Sequence, residues 1–446
     1  MNTDVFELLE RVVDSALALG AKDAEAVHVW EDELDIEVAG GEVETLASAE
    51  AVGVGVRVFT DDHRVGFAYS SDMPGGAESV ARAAWHNAQA NDPDEHNFLQ
   101  PATHQSEDDW SEQDFRRIPV AEKIAFAKAL EQETLGQDSR VQNVQRATYG
   151  DAQFALSLYS SRGMRRRFND AHCSCAVVAV AGDEGEQEMG SEFDFARTYD
   201  ALRSRWVAQR CARDAIQRLG GTPCGSGAMP IVFENHVAAQ FLQVLGGAIN
   251  AMNVLKGKSL FGGRLEDKVA ADGVTIVDAN AEPSGMNRAP FDGEGVPAHA
   301  AKVVDQGVLK TYLHNTYSAS RLNQPMTANA GRAGFRSSPD VSASNCYISP
   351  NTGGPEQLHD GVDQGLLVTD VMGVHTADPV SGDFSFGASG MRIEKGALTR
   401  PVRGVTIAGN LIDLLQNVDL VGNDFRFFGA YGAPSLRVSS LMVSGN

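Results

Sequence analysis

Residues 373–410 read GVHTADPVSGDFSFGASGMRIEKGALTRPVRGVTIAGN, and this stretch decides the fold expected for the second half of the chain. A polar loop comes first, and Phe384, Phe386 and Ala388 then recur at every second position, which is the period of a half-buried strand. Glu394 begins a turn sequence, EKG, and a second apolar run follows it. The stretch therefore predicts antiparallel sheet, and the next residues, LIDLLQNV, predict a short amphipathic helix.

Outside this stretch, length and charge limit the class of protein. The 446 residues are enough for two or three domains that bury ordinary cores. Asp and Glu outnumber Lys and Arg by 60 to 37, which gives a formal net charge of -23. Because an acidic surface repels a phosphate backbone, we expect no nucleic-acid partner.

The cysteines and the hydropathy pattern indicate the compartment. The five cysteines are scattered and odd in number, so they do not predict a disulfide framework, and a reducing cytosol fits them. The N-terminal residues MNTDVFELLE have neither the basic start nor the apolar run of a signal peptide. No apolar run approaches the ~20 residues of a membrane helix, so we expect a cytoplasmic protein without a membrane segment.

The sequence predicts an α+β fold with an uneven distribution of helices. Residues 1–112 and 113–221 each combine helical and strand-like patterns, and we expect two α+β subdomains there. The amphipathic pattern that ends at Gly220 and Gly221 places a domain boundary near those residues. Residues 222–446 are rich in glycine and strands, which predicts a large, mostly antiparallel β domain, barrel- or sandwich-like, with one prominent helix.

That helix is predicted over 235–250, within ENHVAAQFLQVLGGAINAM. Asn235 is placed to cap its N-terminus. Val237, Phe241 and Ala248 recur at helical spacing, so this face is expected to pack into the core.

Four motifs together resemble one known family. They are S-G-D-F-S-x-G-A-x-G at 381–390, E-x-G-x-x-x-x-P-V at 394–402, T-I-A-G-N at 406–410 and V-G-N-D at 421–424. The chain resembles the TldD/PmbA family, once described as modulators of DNA gyrase, and in detail it looks like the PmbA (also called TldE) branch. The resemblance, which extends more weakly over nearly the whole chain, implies a cytosolic protein of peptide and small-protein processing.

The resemblance also implies where a metal would lie. In TldD-branch members the prominent helix carries H-E-x-x-x-H, in which two histidines hold zinc and the glutamate acts as base. The positions that match are Gln243, Val244 and Ala248, and none has the required chemistry. The branch's further cysteine ligand near the C-terminus is also missing, since no cysteine lies beyond Cys346. We therefore expect no catalytic residue and no metal in this chain, with zinc in a TldD-type partner.

Other residues offer alternative chemistry. Asp292 and Glu294 are paired carboxylates that could perform acid–base work together with His299. Because their segment is common to both branches of the family, we favour a loop-shaping role for them.

Two further sets are weighed as metal ligands. His236 stands alone at a helix start, where a surface or capping role is more common. Cys173 and Cys175 share one side of a strand, with His172 beside them, but buried strand cysteines are ordinary.

The favoured hypothesis is a non-catalytic partner subunit of a TldD-type metalloprotease that holds an extended peptide against its sheet. The peptide-binding candidates are Asp383, Ser385, Arg392 and Asn410. Two alternatives remain open. One is an independent peptidase that uses other residues, and the other is a homodimeric peptide-binding or regulatory protein.

Overall fold

The computed structural model describes residues 5–72, 76–102, 105–183 and 185–445. These residues form two compact units. The first consists of the described part of Met1–Leu219 together with Arg332–Ser338, and the second consists of Gly220–Gly331 and the described part of Pro339–Asn446. Each unit is described separately below.

The helices of the first unit are α1 (Val5–Ala18), α2 (Ala77–Ala90), α3 (Val120–Leu135) and α4 (Ser204–Arg218). Its strands are β1 (Asp23–Ala39), β2 (Glu42–Phe59), β3 (Val65–Ser70), β4 (Ser106–Asp109), β5 (Val141–Ser160), β6 (Arg165–Asp183) and β7 (Glu186–Ala196). They form one sheet in the order β3-β2-β1-β5-β6-β4, and β7 also pairs with β6.

Most of this sheet is antiparallel, and only the short strand β4 runs parallel to its neighbour β6. Gly40 and Gly41 connect β1 to β2 with positive φ angles of 61° and 79°, a conformation that glycine adopts without steric cost. The two strands therefore form a tight hairpin. Along β1, Ala24 and Ala26 contribute to the core with α1 and α2, whereas Leu34 and Ile36 contribute to the core with α3 and α4. These even-numbered residues share one face of the strand, so the helices cover that face.

Part of the opposite face is covered by residues 332–338, which are distant in sequence. Phe335 is buried against Gly53 and Gly55 of β2, where a β-carbon would overlap its ring or its backbone. Arg332 forms a buried ion pair with Glu25, and the Arg57 Nε lies 3.0 Å from the same carboxylate oxygen. Burial alone would raise the pKa of Glu25, but the two guanidinium groups lower it below its usual value.

The helices of the second unit are α5 (Asn235–Ala248), α6 (Ala251–Leu255), α7 (Thr316–Leu322) and α8 (Leu411–Gln416). Its strands are β8 (Gly227–Phe233), β9 (Ile276–Ala279), β10 (Ala300–Asp305), β11 (Val308–Leu309), β12 (Ala330–Gly331), β13 (Asp340–Val341), β14 (Cys346–Ile348), β15 (Gln364–Met372), β16 (Asp383–Glu394), β17 (Ala397–Asn410), β18 (Val418–Val421), β19 (Arg426–Phe428), β20 (Tyr431–Ala433) and β21 (Leu436–Ser444).

Two six-stranded sheets and one two-stranded ribbon arise from these strands. One sheet has the order β17-β16-β15-β8-β21-β18, and a further pairing of β17 with β21 curls it into a partial barrel. The other has the order β11-β10-β9-β14-β20-β19, and the ribbon pairs β12 with β13. The expected α+β class with a β-rich second half is confirmed.

The predicted strands of 384–407 lie in β16 and β17, which pair antiparallel from Asp383–Asn410 to Glu394–Ala397. The predicted helix over 235–250 is α5, but the expected cap is wrong. Asn235 is the first helical residue, Glu234 precedes it without a side-chain cap, and the Asn235 Nδ2 donates to the Asp424 carbonyl oxygen at 2.8 Å. The side chain is thus used to join α5 to the V-G-N-D segment.

Strands from 1–112 and 113–221 belong to the same sheet, and the boundary between those two predicted subdomains stays a prediction. The structure shows only that their strands β1 and β5 pair along most of their length, from Glu25–Ser160 to Val38–Ala147.

A double-mutant cycle tests the contact between the Phe335 ring and Gly53. Gly53→Ala should destabilise the first unit by about 1–3 kcal/mol because the new methyl group overlaps the ring. In a Phe335→Ala background, itself destabilised by about 3 kcal/mol, the same change should be nearly neutral. All four tryptophans, Trp30, Trp85, Trp110 and Trp206, lie in this unit, so fluorescence-detected urea unfolding reports on it selectively.

Ser338→Ala is the control, since this exposed residue belongs to the same segment. Equal costs for Gly53→Ala in both backgrounds would contradict the proposed contact.

Candidate functional site

Helix α5 carries the positions where the family resemblance places a metal, and these positions differ in their exposure. Gln243 is exposed, Val244 is half-buried against the core, and Ala248 is only 3% exposed. The other face carries Phe241, whose ring lies 5.4 Å from the Phe384 ring and 5.6 Å from the Phe386 ring. The apolar face predicted from spacing is therefore the face that packs on β16.

The neighbourhood of these positions is also occupied by a tyrosine. Gly246 lies between Gln243 and Ala248, and a β-carbon there would overlap the Tyr431 hydroxyl group of β20. Burial raises the pKa of Tyr431 far above its usual value, so the group stays protonated. Two hydrocarbon side chains, one amide and a protonated phenol do not make a zinc site. The residues present at this helix do not fit the metal of the family's TldD branch.

Elsewhere in the described residues, no group of three or more His, Cys, Asp and Glu side chains is arranged to hold a metal ion. His236 was considered above as a possible metal ligand. Its Nε2 lies 2.9 Å from the Thr369 carbonyl oxygen, and its Nδ1 lies 3.6 Å from the Glu234 carboxylate. Both ring nitrogens thus have partners within the second unit.

The possible metal ligands on β6, His172, Cys173 and Cys175, lie on two different faces of the strand. Cys173 and Cys175 are buried in the core beneath α3 and α4. His172 immediately precedes Cys173, and because successive side chains of a strand alternate between its faces, His172 lies on the other face. Burial raises the pKa of Cys173 to about 12, which keeps it a thiol rather than a metal-binding thiolate. The structure therefore does not bring the two thiols and the imidazole together.

Asp292 and Glu294 are both buried, and backbone groups occupy their oxygens. The Asp292 Oδ1 accepts from the amides of Glu294 and Val296, both at 2.9 Å, and its Oδ2 accepts from Ala330 at 3.1 Å. The Glu294 Oε2 accepts from the Thr316 amide at 2.8 Å, at the start of α7. These bonds fix a turn and a helix end, which is the loop-shaping geometry.

Burial, together with the neighbouring Glu294 carboxylate, raises the pKa of Asp292 to about 7. His299, the third member of the alternative acid–base set, is exposed. Burial raises the pKa of Asp278, and the nearby His299 offsets a small part of that rise. His299 thus acts electrostatically on Asp278.

Sequence reasoning missed the polar groups around Asp278. Its carboxylate is 1% exposed and accepts from the Asn329 Nδ2 at 2.7 Å and from the Ser344 amide at 2.9 Å. These partners stand 51 and 66 residues away along the chain, so no local pattern links them. A lone aspartate within an apolar strand, IVDA, was the only signal available.

The four peptide-binding candidates fall into two places. Asp383, Ser385 and Asn410 lie together, and the Asn410 Nδ2 donates to Asp383 at 2.9 Å while its Oδ1 accepts from the Ile412 amide at 3.0 Å. Asn410 therefore caps α8 and has little capacity left for a ligand. Asp383 and Ser385 remain exposed at the strand's outer face.

Arg392 lies at the other end of β16, nine residues or about 30 Å from Asp383. It donates to the Gln364 side chain at 2.9 Å. A single short ligand cannot touch both ends, so these residues do not form one compact site.

The chain combines two kinds of unit. One is an α+β unit built on a single sheet of long strands, and the other is a β-rich unit in which a partial barrel packs on one helix. This is the architecture of a metallopeptidase-type family whose three domain profiles match the chain. The PmbA/TldA metallopeptidase domain 1 matches residues 24–88, the central domain matches 113–219 and the C-terminal domain matches 226–445. The chain belongs to the PmbA/TldD family.

Similar proteins agree over nearly the full length. The chain is 28% identical to the metalloprotease PmbA homolog of Haemophilus influenzae and 26% identical to metalloprotease PmbA of Escherichia coli O157:H7, with 98% of this chain and 96% of each relative covered. A crystal structure from Thermotoga maritima, described as that of a candidate modulator of a DNA gyrase, has a TM-score of 0.89 at 27% identity over 98% of this chain and all of that one.

TldE from Thermococcus kodakarensis shares the fold, with a TM-score of 0.88 at 18% identity over 98% of this chain and 100% of that one. None of the helices in the described residues combines the length and hydropathy that a membrane crossing requires.

Replacing the α8 cap should loosen that helix. Asn410→Ala removes the acceptor for the Ile412 amide and the bond to Asp383, which should cost about 1 kcal/mol. Hydrogen exchange of the amides in 411–416, followed by mass spectrometry, should become about fivefold faster. Ser385→Ala, an exposed neighbour, should leave these rates unchanged. Unaltered exchange in Asn410→Ala would show that the cap does not stabilise α8.

The Asp292–Glu294 pair predicts a pH dependence of stability. Because the pKa of Asp292 is raised on folding, the folded state binds this proton more tightly than the unfolded chain. The resulting stabilisation is present below about pH 4 and is lost as the pH rises through about 7. Glu294→Gln removes the like charge, lowers the pKa of Asp292 and should reduce this loss.

Calorimetric Tm values at pH 5 and pH 7.5 measure the effect, with the exposed Glu356→Gln as a control of equal charge. If the Tm difference between the two pH values is the same in Glu294→Gln and in the wild type, the two carboxylates are not coupled.

Proposed function

We propose that this chain is the non-catalytic, PmbA/TldE-type subunit of a cytosolic metalloprotease complex whose TldD-type subunit supplies the zinc. The observation that carries the proposal is the chemistry of α5. Gln243, Val244 and Ala248 stand where a catalytic chain would have two histidines and a glutamate, and two of the three serve packing instead. The names of the relatives support the wider activity, since curated homologues are called metalloproteases.

The packing of α5 explains why the loss of ligands need not disturb the fold. Val244 and Ala248 lie in or against the core cluster of the second unit, where the glutamate and the second histidine of a catalytic chain would have to bury a carboxyl group and a polar ring. Without a metal to satisfy that ring, apolar residues are the more stable choice. The helix therefore works as a structural element that holds the barrel strands in place.

The expected role of such a subunit is to complete the surface that holds the peptide. A peptide that is to be cut must be extended, and extended chains bind most readily by adding to a sheet. Asp383 and Ser385 are the remaining exposed candidates at their end of β16, while Arg392 marks the other end. Substrates in this proposal are peptides and small proteins.

The test is reconstitution. The purified chain should contain substoichiometric zinc by elemental analysis and should not cleave unfolded peptides. Co-expression with a TldD-type chain that carries H-E-x-x-x-H should give a stable hetero-complex with chelator-sensitive peptidase activity. A Gln243→Ala variant should leave that activity within about twofold of the wild type, because the residue would not be a ligand.

Stoichiometric zinc in this chain alone, together with chelator-sensitive cleavage, would refute the proposal. An exclusive homodimer in the presence of the TldD-type chain would favour the regulatory alternative instead.

A further inference from the structure

The hairpin of β1 and β2 exposes a length of sheet edge. β2 pairs with β1 along its whole length, but on its other side it pairs with β3 only from Val54–Ser70 to Phe59–Val65. Residues 45–52 therefore present an edge that no strand of the described chain covers. We call this segment the free edge; its eight residues span about 26 Å.

Proteins usually protect such an edge. The common devices are lysine or proline on the edge strand, a bulge that twists it away, or a covering loop. The free edge has no lysine, arginine or proline, and its register with β1 is unbroken from Thr45 to Val52. Residues 45–50 are exposed, and Leu46 is 50% exposed. An unprotected edge of this length is suited to pairing with a further strand.

The side chains next to the edge indicate which strand would fit. On one face of the hairpin β1 carries a row of four carboxylates, and the β2 residues directly opposite are small. The opposed pairs are Glu31–Ala51, Glu33–Ala49, Asp35–Ala47 and Glu37–Thr45. We call the four acidic residues the carboxylate row. A strand added to the free edge would lie about 10 Å from β1, and the small β2 side chains leave room for long side chains to cross that gap.

Among the residues that the structure describes, no cation is paired with the carboxylate row. Within the described chain, none of its four members takes part in an ion pair, and the segment 31–50 holds eight acidic residues and no lysine or arginine. Burial and the charge of Glu33 raise the pKa of Glu31. By contrast, Glu50 on the other face accepts from the Trp30 Nε1 at 3.1 Å. Like charges this dense would repel a second copy of the same hairpin.

We propose that the free edge binds an extended, basic polypeptide segment as an added strand, with lysine or arginine at alternate positions crossing β2 to reach the carboxylate row. Main-chain hydrogen bonds would supply the attachment, and the alternate basic side chains would supply the selectivity. The side chains at the other alternate positions of the added strand would lie on the opposite face of the sheet, beside Leu46. This surface lies in the first unit, and the inference does not depend on the proposed function.

The experiment uses the full-length chain and a fluorescein-labelled peptide of four Lys-Thr repeats, with binding measured by fluorescence anisotropy. Two further peptides are matched to it: one has glutamate in place of lysine, and the other keeps every lysine but has N-methylated backbone amides. The protein variants are Glu33→Gln/Asp35→Asn in the carboxylate row and Asp92→Asn/Glu95→Gln, an exposed pair with the same change of charge in another part of the unit.

We expect the lysine peptide to bind, the glutamate peptide not to bind, and the N-methylated peptide to bind at least about tenfold more weakly, because it cannot donate main-chain hydrogen bonds. The row variant should weaken binding of the lysine peptide about five- to tenfold, and the control variant should change it less than twofold. Both variants replace exposed groups, so their Tm values should match the wild type.

Three results would overturn the inference. Equal binding of the lysine and N-methylated peptides would indicate general attraction to an acidic protein without strand addition. Equal effects of the two protein variants would indicate the same. The absence of any binding by the lysine peptide to the folded wild type would refute the site directly.

Discussion

The contact of one helix with two strands supports the second unit. Phe241 of α5 packs within 5.6 Å, centroid to centroid, of Phe233, Phe384 and Phe386. These rings join the helix to β8 and to β16, two strands of the partial barrel. Removing a buried phenylalanine from such a cluster typically costs 3–5 kcal/mol, which is comparable to the stability of a small domain. The face of α5 that meets the barrel must therefore stay apolar.

That requirement separates structure from catalysis along α5. Because the aromatic face is fixed, Gln243 faces outward, whereas Ala248 packs in the core and is only 3% exposed. A chain that carried a metal would need polar ligands at these positions, which the metal alone would compensate. This chain has the scaffold of a metallopeptidase family with side chains suited to packing.

The family motifs have a physical meaning once the fold is known. Asn410, the end of T-I-A-G-N, caps α8 and joins it to Asp383 of the S-G-D-F-S motif. Asp424 of V-G-N-D accepts two hydrogen bonds from Ser435, and its carbonyl oxygen accepts from Asn235. The residues that make the resemblance specific are thus largely those that fix strand ends and helix starts.

Local patterns predicted much of this structure. The spacing of Val237, Phe241 and Ala248 correctly gave the buried face of α5, and the two-residue period of 384–388 gave β16, because both periods follow from backbone geometry. The same reasoning placed Asn235 wrongly as a cap, since the partner of its side chain, Asp424, is 189 residues away.

The sequence by itself thus determined the elements, the family and the absence of histidine and glutamate from the metal positions of α5. Only the tertiary structure decided that Arg332 and Glu25, 307 residues apart, form a buried ion pair, and that Asp383 and Arg392 lie at opposite ends of one strand. It also decided that the edge at 45–52 pairs with no third strand among the residues that the structure describes. The physical reason is that periodicity and capping act over a few residues, whereas charge pairing and strand addition depend on distances set by the whole chain.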